Sequence, residues 1–112
     1  MLTDTKLEET EFRDDALAIA CEHIDLLCRK QADYGPHNIA NMGRAGLLVR
    51  MNDKMERLKH LMFSGAKPTN EAVTDTLRDL SNYALIWEMG DRGSWPVPFR
   101  DVVLLPQERT PK

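Results

Sequence analysis

The stretch Asp75-Thr76-Leu77-Arg78-Asp79-Leu80-Ser81-Asn82-Tyr83 decides how this chain is read. Asp75, Asp79, Asn82 and Ile86 follow at i, i+4, i+7 and i+11, so on a helix they share one face. Val73, Leu77, Leu80 and Ala84 fall on the opposite face. A polar stripe that runs into an isoleucine is unusual for a solvated surface. It implies a face that is at least partly covered. Two aspartates and an asparagine on a helix are more often a wet face, because acidic side chains are rarely buried. If the face is covered, a divalent cation is the partner that carboxylates suit best.

Around this stretch the spacing predicts a helix over about 70–89. Thr69 or Asn70 is placed to cap it, and Gly90 stands where a helix-ending glycine belongs. Upstream, Leu47, Leu48, Met51, Met55, Leu58 and Met62 give an apolar face to a helix over about 45–63. Arg50, Lys54 and Arg57 line one flank of it. Val49 lies towards the far side, with Asp53 and Glu56. Further upstream, Leu17, Ala20, Cys21, Ile24, Leu27 and Cys28 form one stripe on a helix over about 12–33. Residues 34–46, with three glycines and a proline, read as a long loop.

These elements imply an all-α bundle of three main helices. It is preceded by a flexible N-terminus over 1–11 and followed by a proline-rich, extended C-terminal tail over 91–112. In the tail, Trp95, Phe99 and the Val102–Leu105 run are available to pack on the bundle or on a second subunit. The second and third helices each show a second, partly apolar face: Val49 and Phe63 on one, Ala72, Tyr83 and Ile86 on the other. Three helices leave such faces uncovered, which predicts a homodimer or higher homo-oligomer.

The totals narrow the function classes. The chain has 112 residues and a formal net charge of −3, with 42% hydrophobic and 29% charged residues. That suits one small globular domain and disfavours general nucleic-acid binding. Charge is unevenly spread: net −5 over residues 1–35, +4 over 36–68 and −2 over 69–112. The basic centre is placed to face a phosphate or to complement its acidic neighbours. No apolar run is long enough to span a membrane. Cys21 and Cys28 are about 10 Å apart on one helix, too far for a disulfide, and read as reduced core thiols of a cytoplasmic protein. The three histidines share no metal-ligand spacing, and neither a P-loop nor a GxSxG elbow is present.

Two acidic pairs remain as candidate chemistry: Asp53 with Glu56, and Asp75 with Asp79. Such pairs can converge on one ion from facing helices. Magnesium there would leave Arg50, Lys54 and Arg57 to neutralise phosphates. The competing reading is a surface of local ion pairs, Asp53 with Arg57 among them.

Three segments together then resemble the nucleotide modification associated domain 1 family, frequent in phages. They are Lys30-Gln31-Ala32-Asp33-Tyr34-Gly35-Pro36-His37-Asn38-Ile39, Gly46 to Leu58, and Asp75 to Ile86. That family is similar to the MazG-like all-α nucleoside triphosphate pyrophosphohydrolases. The resemblance covers about residues 12–90. It implies a magnesium-dependent enzyme (manganese as the alternative ion) that splits a (d)NTP into (d)NMP and pyrophosphate. Asp53, Glu56, Asp75 and Asp79 would hold the metal, with Asp53, Glu56 and Asp79 catalytic. Lys30, Asp33, Tyr34, Asn38, Asn82 and Tyr83 would line the nucleotide pocket with Arg50, Lys54 and Arg57. The chain departs from the family pattern in its thinned first acidic motif and in Thr76, where the second motif often has a glutamate. Those departures keep a second reading open: a helical module that senses a nucleotide or docks on a host protein without catalysis.

Overall fold

The computed structural model describes residues 5–65, 67 and 70–101. The molecule is all-α. Its helices are α1 (Thr5–Tyr34), α2 (His37–Phe63) and α3 (Asn70–Asp91), with no strand among the described residues. α3 is the shared element, packing on both α2 and α1. No helix among the described residues is long and apolar enough to cross a membrane.

The helices are longer than their apolar periodicity predicts. α1 begins at Thr5, so part of the segment expected to be a flexible N-terminus is helical. The expected loop at 34–46 shrinks to a break at Gly35-Pro36, where Gly35 takes φ +72°. From His37 the chain is helical again, with one interruption at Gly43 (φ +63°, ψ −157°). A positive φ favours glycine, and Gly43 is also buried against the backbone of Arg100 and Asp101.

That interruption explains how the tail is held. In an unbroken helix the Arg44 N–H would donate to the Ala40 carbonyl. The kink separates them, and the tail satisfies both groups. Arg100 N–H donates to the Ala40 carbonyl at 2.7 Å, and the Asp101 carboxylate accepts from Arg44 N–H at 2.8 Å. The Arg44 side chain pairs with Asp91 at 2.6 Å and with Asp101, and it lies 5.8 Å from the centre of the Phe99 ring. Phe99 meets Trp95 edge to face. It also packs so closely on Gly90 that a Cβ there would overlap its ring. Gly90 is therefore not the helix-ending glycine. The turn comes later, at Gly93 (φ +76°), after Arg92 N–H has bonded to the Glu88 carbonyl. Trp95 and Phe99 pack back on the bundle; Val102–Leu105 and Thr69 lie outside the described residues.

The core sits at this end. Ile39, Ala40, Leu47, Ile86 and Trp95 are buried, with Leu27, Tyr83, Trp87, Met89, Val97 and Phe99 packed around them. Several residues expected inside are outside. On α1, residues 9–22 are exposed throughout, and Cys21 and Cys28 are exposed thiols, not core ones. Leu17 and Ile24 are exposed as well. The reason is rotational. α1 meets α3 through His23, Leu27 and Lys30, about one turn apart along a different face, and the contact is largely polar. His23 Nδ1 lies 2.9 Å from Ser81 Oγ, and Arg78 pairs with Glu22 at 2.7 Å. On α2, only Leu47 of the expected core face is fully buried; Leu48, Met55 and Met62 are exposed.

Candidate functional site

The polar stripe on α3 is covered, and from two sides. Thr76, Asn82 and Ile86 are buried and Asp79 is largely so; Asp75, one turn earlier, is exposed. Asp79 is the hub. Its Oδ1 accepts from Lys30 Nζ of α1 at 2.8 Å, and its Oδ2 pairs with Lys54 Nζ of α2 at 2.9 Å. One carboxylate thus ties all three helices together. Burial pushes the Asp79 carboxyl up, but the hydrogen bonds and charges of Lys30 and Lys54 outweigh it and hold the group below the usual aspartate value. For Lys30, burial pulls the ammonium down, and the bond to Asp79 more than reverses this, leaving it above the ordinary lysine value.

Thr76 has a structural role. Its hydroxyl donates to the Ala72 carbonyl at 2.7 Å and accepts from Arg57 Nε at 3.2 Å. Arg57, which the competing reading pairs with Asp53, is anchored across the α2–α3 contact. Asn82 donates from Nδ2 to the His23 carbonyl at 2.9 Å.

Beside this hub lies a cavity of about 320 Å³. Leu27, Ile39, Ile86 and Trp95 form its apolar wall, and Lys30, Arg50, Asp79 and Asn82 its polar one. Tyr34, Asn38 and Tyr83 also line it. The volume lies within the roughly 300–1,000 Å³ of small-molecule pockets. A second, shallower cleft, bordered by Arg50, Asp53, Lys54, Arg57 and Tyr83, shares Arg50 and Tyr83 with the first. One has an apolar wall and the other is bordered by three cationic side chains.

Of the residues read from the sequence as nucleotide-binding, Lys30, Tyr34, Asn38, Arg50, Asn82 and Tyr83 meet around the cavity, and Lys54 and Arg57 around the adjoining cleft. Asp33 is exposed and lines neither. Gln31, Leu27 and Trp95 line the cavity without having been singled out for it. Gln31 follows Lys30 within the segment already noted. Trp95 has no sequence signal for this place; the tail brings it there, where its Nε1 donates to the Pro36 carbonyl at 3.1 Å.

The four carboxylates expected to hold magnesium do not converge. Both Asp79 oxygens carry a lysine. Glu56 pairs with Lys59 on the surface at 3.0 Å, and Asp53 and Asp75 are exposed, with only Asp53 at the cleft. Among the described residues no three His, Cys, Asp or Glu side chains are grouped as metal ligands. As arranged, the side chains do not fit a resident magnesium or manganese ion. A hard cation would need Lys30 and Lys54 to leave Asp79 first. What the arrangement offers directly is cationic: Arg50, Lys54 and Arg57 around the cleft that adjoins the cavity. Comparison with family models, with curated proteins and with solved structures found no match to this chain.

Proposed function

We propose that this chain binds a nucleoside triphosphate or a closely related nucleotide. The base lies in the cavity between Tyr83, Ile86 and Trp95, and the phosphates lie on Arg50, Lys54 and Arg57. The observation that carries the reading is that Arg50 and Tyr83 border both hollows, one with an apolar wall and the other lined by Arg50, Lys54 and Arg57. A nucleotide has that same polarity along its length. Arginine suits the phosphates because its planar fork pairs with two oxygens at once, and lysine adds a point charge. Asp79 holds Lys30 and Lys54 in place before ligand arrives, which lowers the cost of ordering them.

The resemblance to the MazG-like group supports the same ligand class and adds a reaction, cleavage of a (d)NTP to (d)NMP and pyrophosphate with magnesium or manganese. Asp53 is the one acidic side chain of the expected set that borders the cationic cleft, and an ion for this second reading would have to arrive with the nucleotide, since the side chains as arranged do not hold one. The reading also includes a homodimer or higher homo-oligomer, supported by the apolar side chains left exposed on all three helices, and a place in a cytoplasm.

Calorimetric titration of the full chain with nucleoside triphosphates, with and without magnesium, tests the binding reading. The double variant Arg50→Ala/Lys54→Ala is expected to weaken binding at least tenfold while keeping its helical circular dichroism. Unchanged affinity would remove the assigned phosphate site. Pyrophosphate release by the wild type, lost in Asp53→Ala and Asp79→Ala, establishes the enzyme. Binding without release establishes the sensing module.

A further inference from the structure

We infer that Val102-Val103-Leu104-Leu105 of this same chain docks in the near half of the apolar groove between α2 and α3. The inference is independent of the nucleotide reading. The groove lies on the face away from the cavity. Leu48, Met51 and Met55 of α2 wall one side, and Leu77, Leu80 and Ala84 of α3 the other. Leu48, Met55 and Leu77 are exposed among the described residues.

The occupant follows from where the chain arrives. Past Gly43, α2 is regular, and Arg44, Leu48, Met51 and Met55 recur on one face at i, i+4, i+7 and i+11. Asp91 extends the α3 wall in the same way, seven residues after Ala84. The Arg44–Asp91 ion pair at 2.6 Å therefore stands at one mouth of the groove. Asp101 is bound at that mouth, to the Arg44 N–H and guanidinium. The tail is already passing round the end of the helix pair. Trp95 sits on the cavity side, with its Nε1 on the Pro36 carbonyl; Phe99 covers Gly90; Asp101 has reached Arg44.

Reach and chemistry agree. Four extended residues span about 13 Å. From Arg44, Leu48 is about 6 Å and Met51 about 10 Å along the helix, whereas Met55 is about 16 Å away. The segment can thus cover Leu48, Met51 and Ala84, and it leaves Met55 and Leu77 open to a second molecule. It is apolar over that length only: Asp101 precedes it and Pro106-Gln107-Glu108-Arg109 follow. Such a run gains by leaving water, and Pro106 favours an extended Leu105.

The test is disulfide trapping in the full chain with Cys21 and Cys28 replaced by serine. Leu104→Cys is combined in turn with Leu48→Cys, Met51→Cys and Val49→Cys, the last about 100° round the same helix. In dilute solution Leu48→Cys or Met51→Cys is expected to form an intrachain bridge at least about fivefold faster than Val49→Cys, since a disulfide needs its Cα atoms within about 7 Å. Equal rates at all three positions, or no bridge at either groove position, overturn the inference. So does a bridge between two chains, formed on mixing the Leu48→Cys and Leu104→Cys single variants in place of the intrachain one; it gives the groove to a second copy. As a measurement without cysteines, Leu104→Ser with Leu105→Ser is expected to keep its helicity and raise the fluorescence of 8-anilinonaphthalene-1-sulfonate at least about twofold, since that dye binds exposed apolar surface. No rise overturns the docking.

Discussion

The two faces of the α2–α3 pair are inverted relative to a simple amphipathic bundle. The face turned towards α1 buries an asparagine and most of an aspartate, with Ile86 beside them, and a threonine is buried at the contact with α2. The opposite face leaves an open apolar groove of Leu48, Met51, Met55, Leu77, Leu80 and Ala84. The buried polar residues are tied down by named partners: Asp79 by two lysines, Thr76 by Arg57 and the Ala72 carbonyl, and Asn82, through its Nδ2 alone, by the His23 carbonyl. Apolar groups outside have no such account among the described residues. One face is therefore accounted for by pairings within the chain, and the other is not.

Four variants sharpen or break this contrast. The largest effect is expected at the closed end. Trp95→Ala removes the buried ring that anchors the tail and should cost about 3–5 kcal/mol in urea unfolding. A loss below about 1 kcal/mol would show that the tail is not part of the core.

On the open face, Met55→Glu with Leu77→Glu is expected to reduce the wild-type oligomer to the 12.8 kDa chain in light scattering, with helicity retained. A monomeric, folded wild type would remove the homo-oligomer and leave the groove for a different partner.

Asp79→Asn tests the polar face through pH. The folded-state value of Asp79 lies below its unfolded one, so its stabilisation is present above the unfolded value, about 4, and is lost as pH falls through the folded value. Lys30 has the opposite sign. Its contribution is full below about 10.4 and is lost as pH rises through its higher folded value. Replacing Asp79 should cost about 1–2 kcal/mol at neutral pH, because both lysines are partly solvated. It should also flatten the acid limb of the melting curve. An acid limb identical to wild type would mean that Asp79 does not carry it.

The smallest change is expected for Cys21→Ser with Cys28→Ser. Both thiols are exposed, and the shift should stay within about 0.5 kcal/mol. A loss of several kcal/mol would place them under a partner.

Residues that act along one helix were legible from the chain. The periodicity located three helices, and the run from Asp75 to Ile86 announced a covered polar face, because position on a helix follows from 3.6 residues per turn. The basic flank of Arg50, Lys54 and Arg57 was visible for the same reason. The continuation of α2 through 37–46 was not. Glycine and proline spacing signals a break, but Gly43 is a kink whose freed groups are paired by the tail from about 57 residues away. Rotation of α1 was equally hidden. Leu17, Cys21, Ile24 and Cys28 make the better apolar stripe, yet the face that docks carries His23 and Lys30.

The sequence by itself determined an all-α chain, the place of its helices and which polar residues share a face, since these are local consequences of backbone geometry and side-chain spacing. Only the tertiary structure decided which face of each helix is inside, that Asp79 is held by two lysines, and that Trp95 closes the cavity. Those outcomes depend on pairings between distant residues, where a satisfied hydrogen bond or ion pair makes burial of a polar group tolerable. No pattern within a single helix records its partner's rotation.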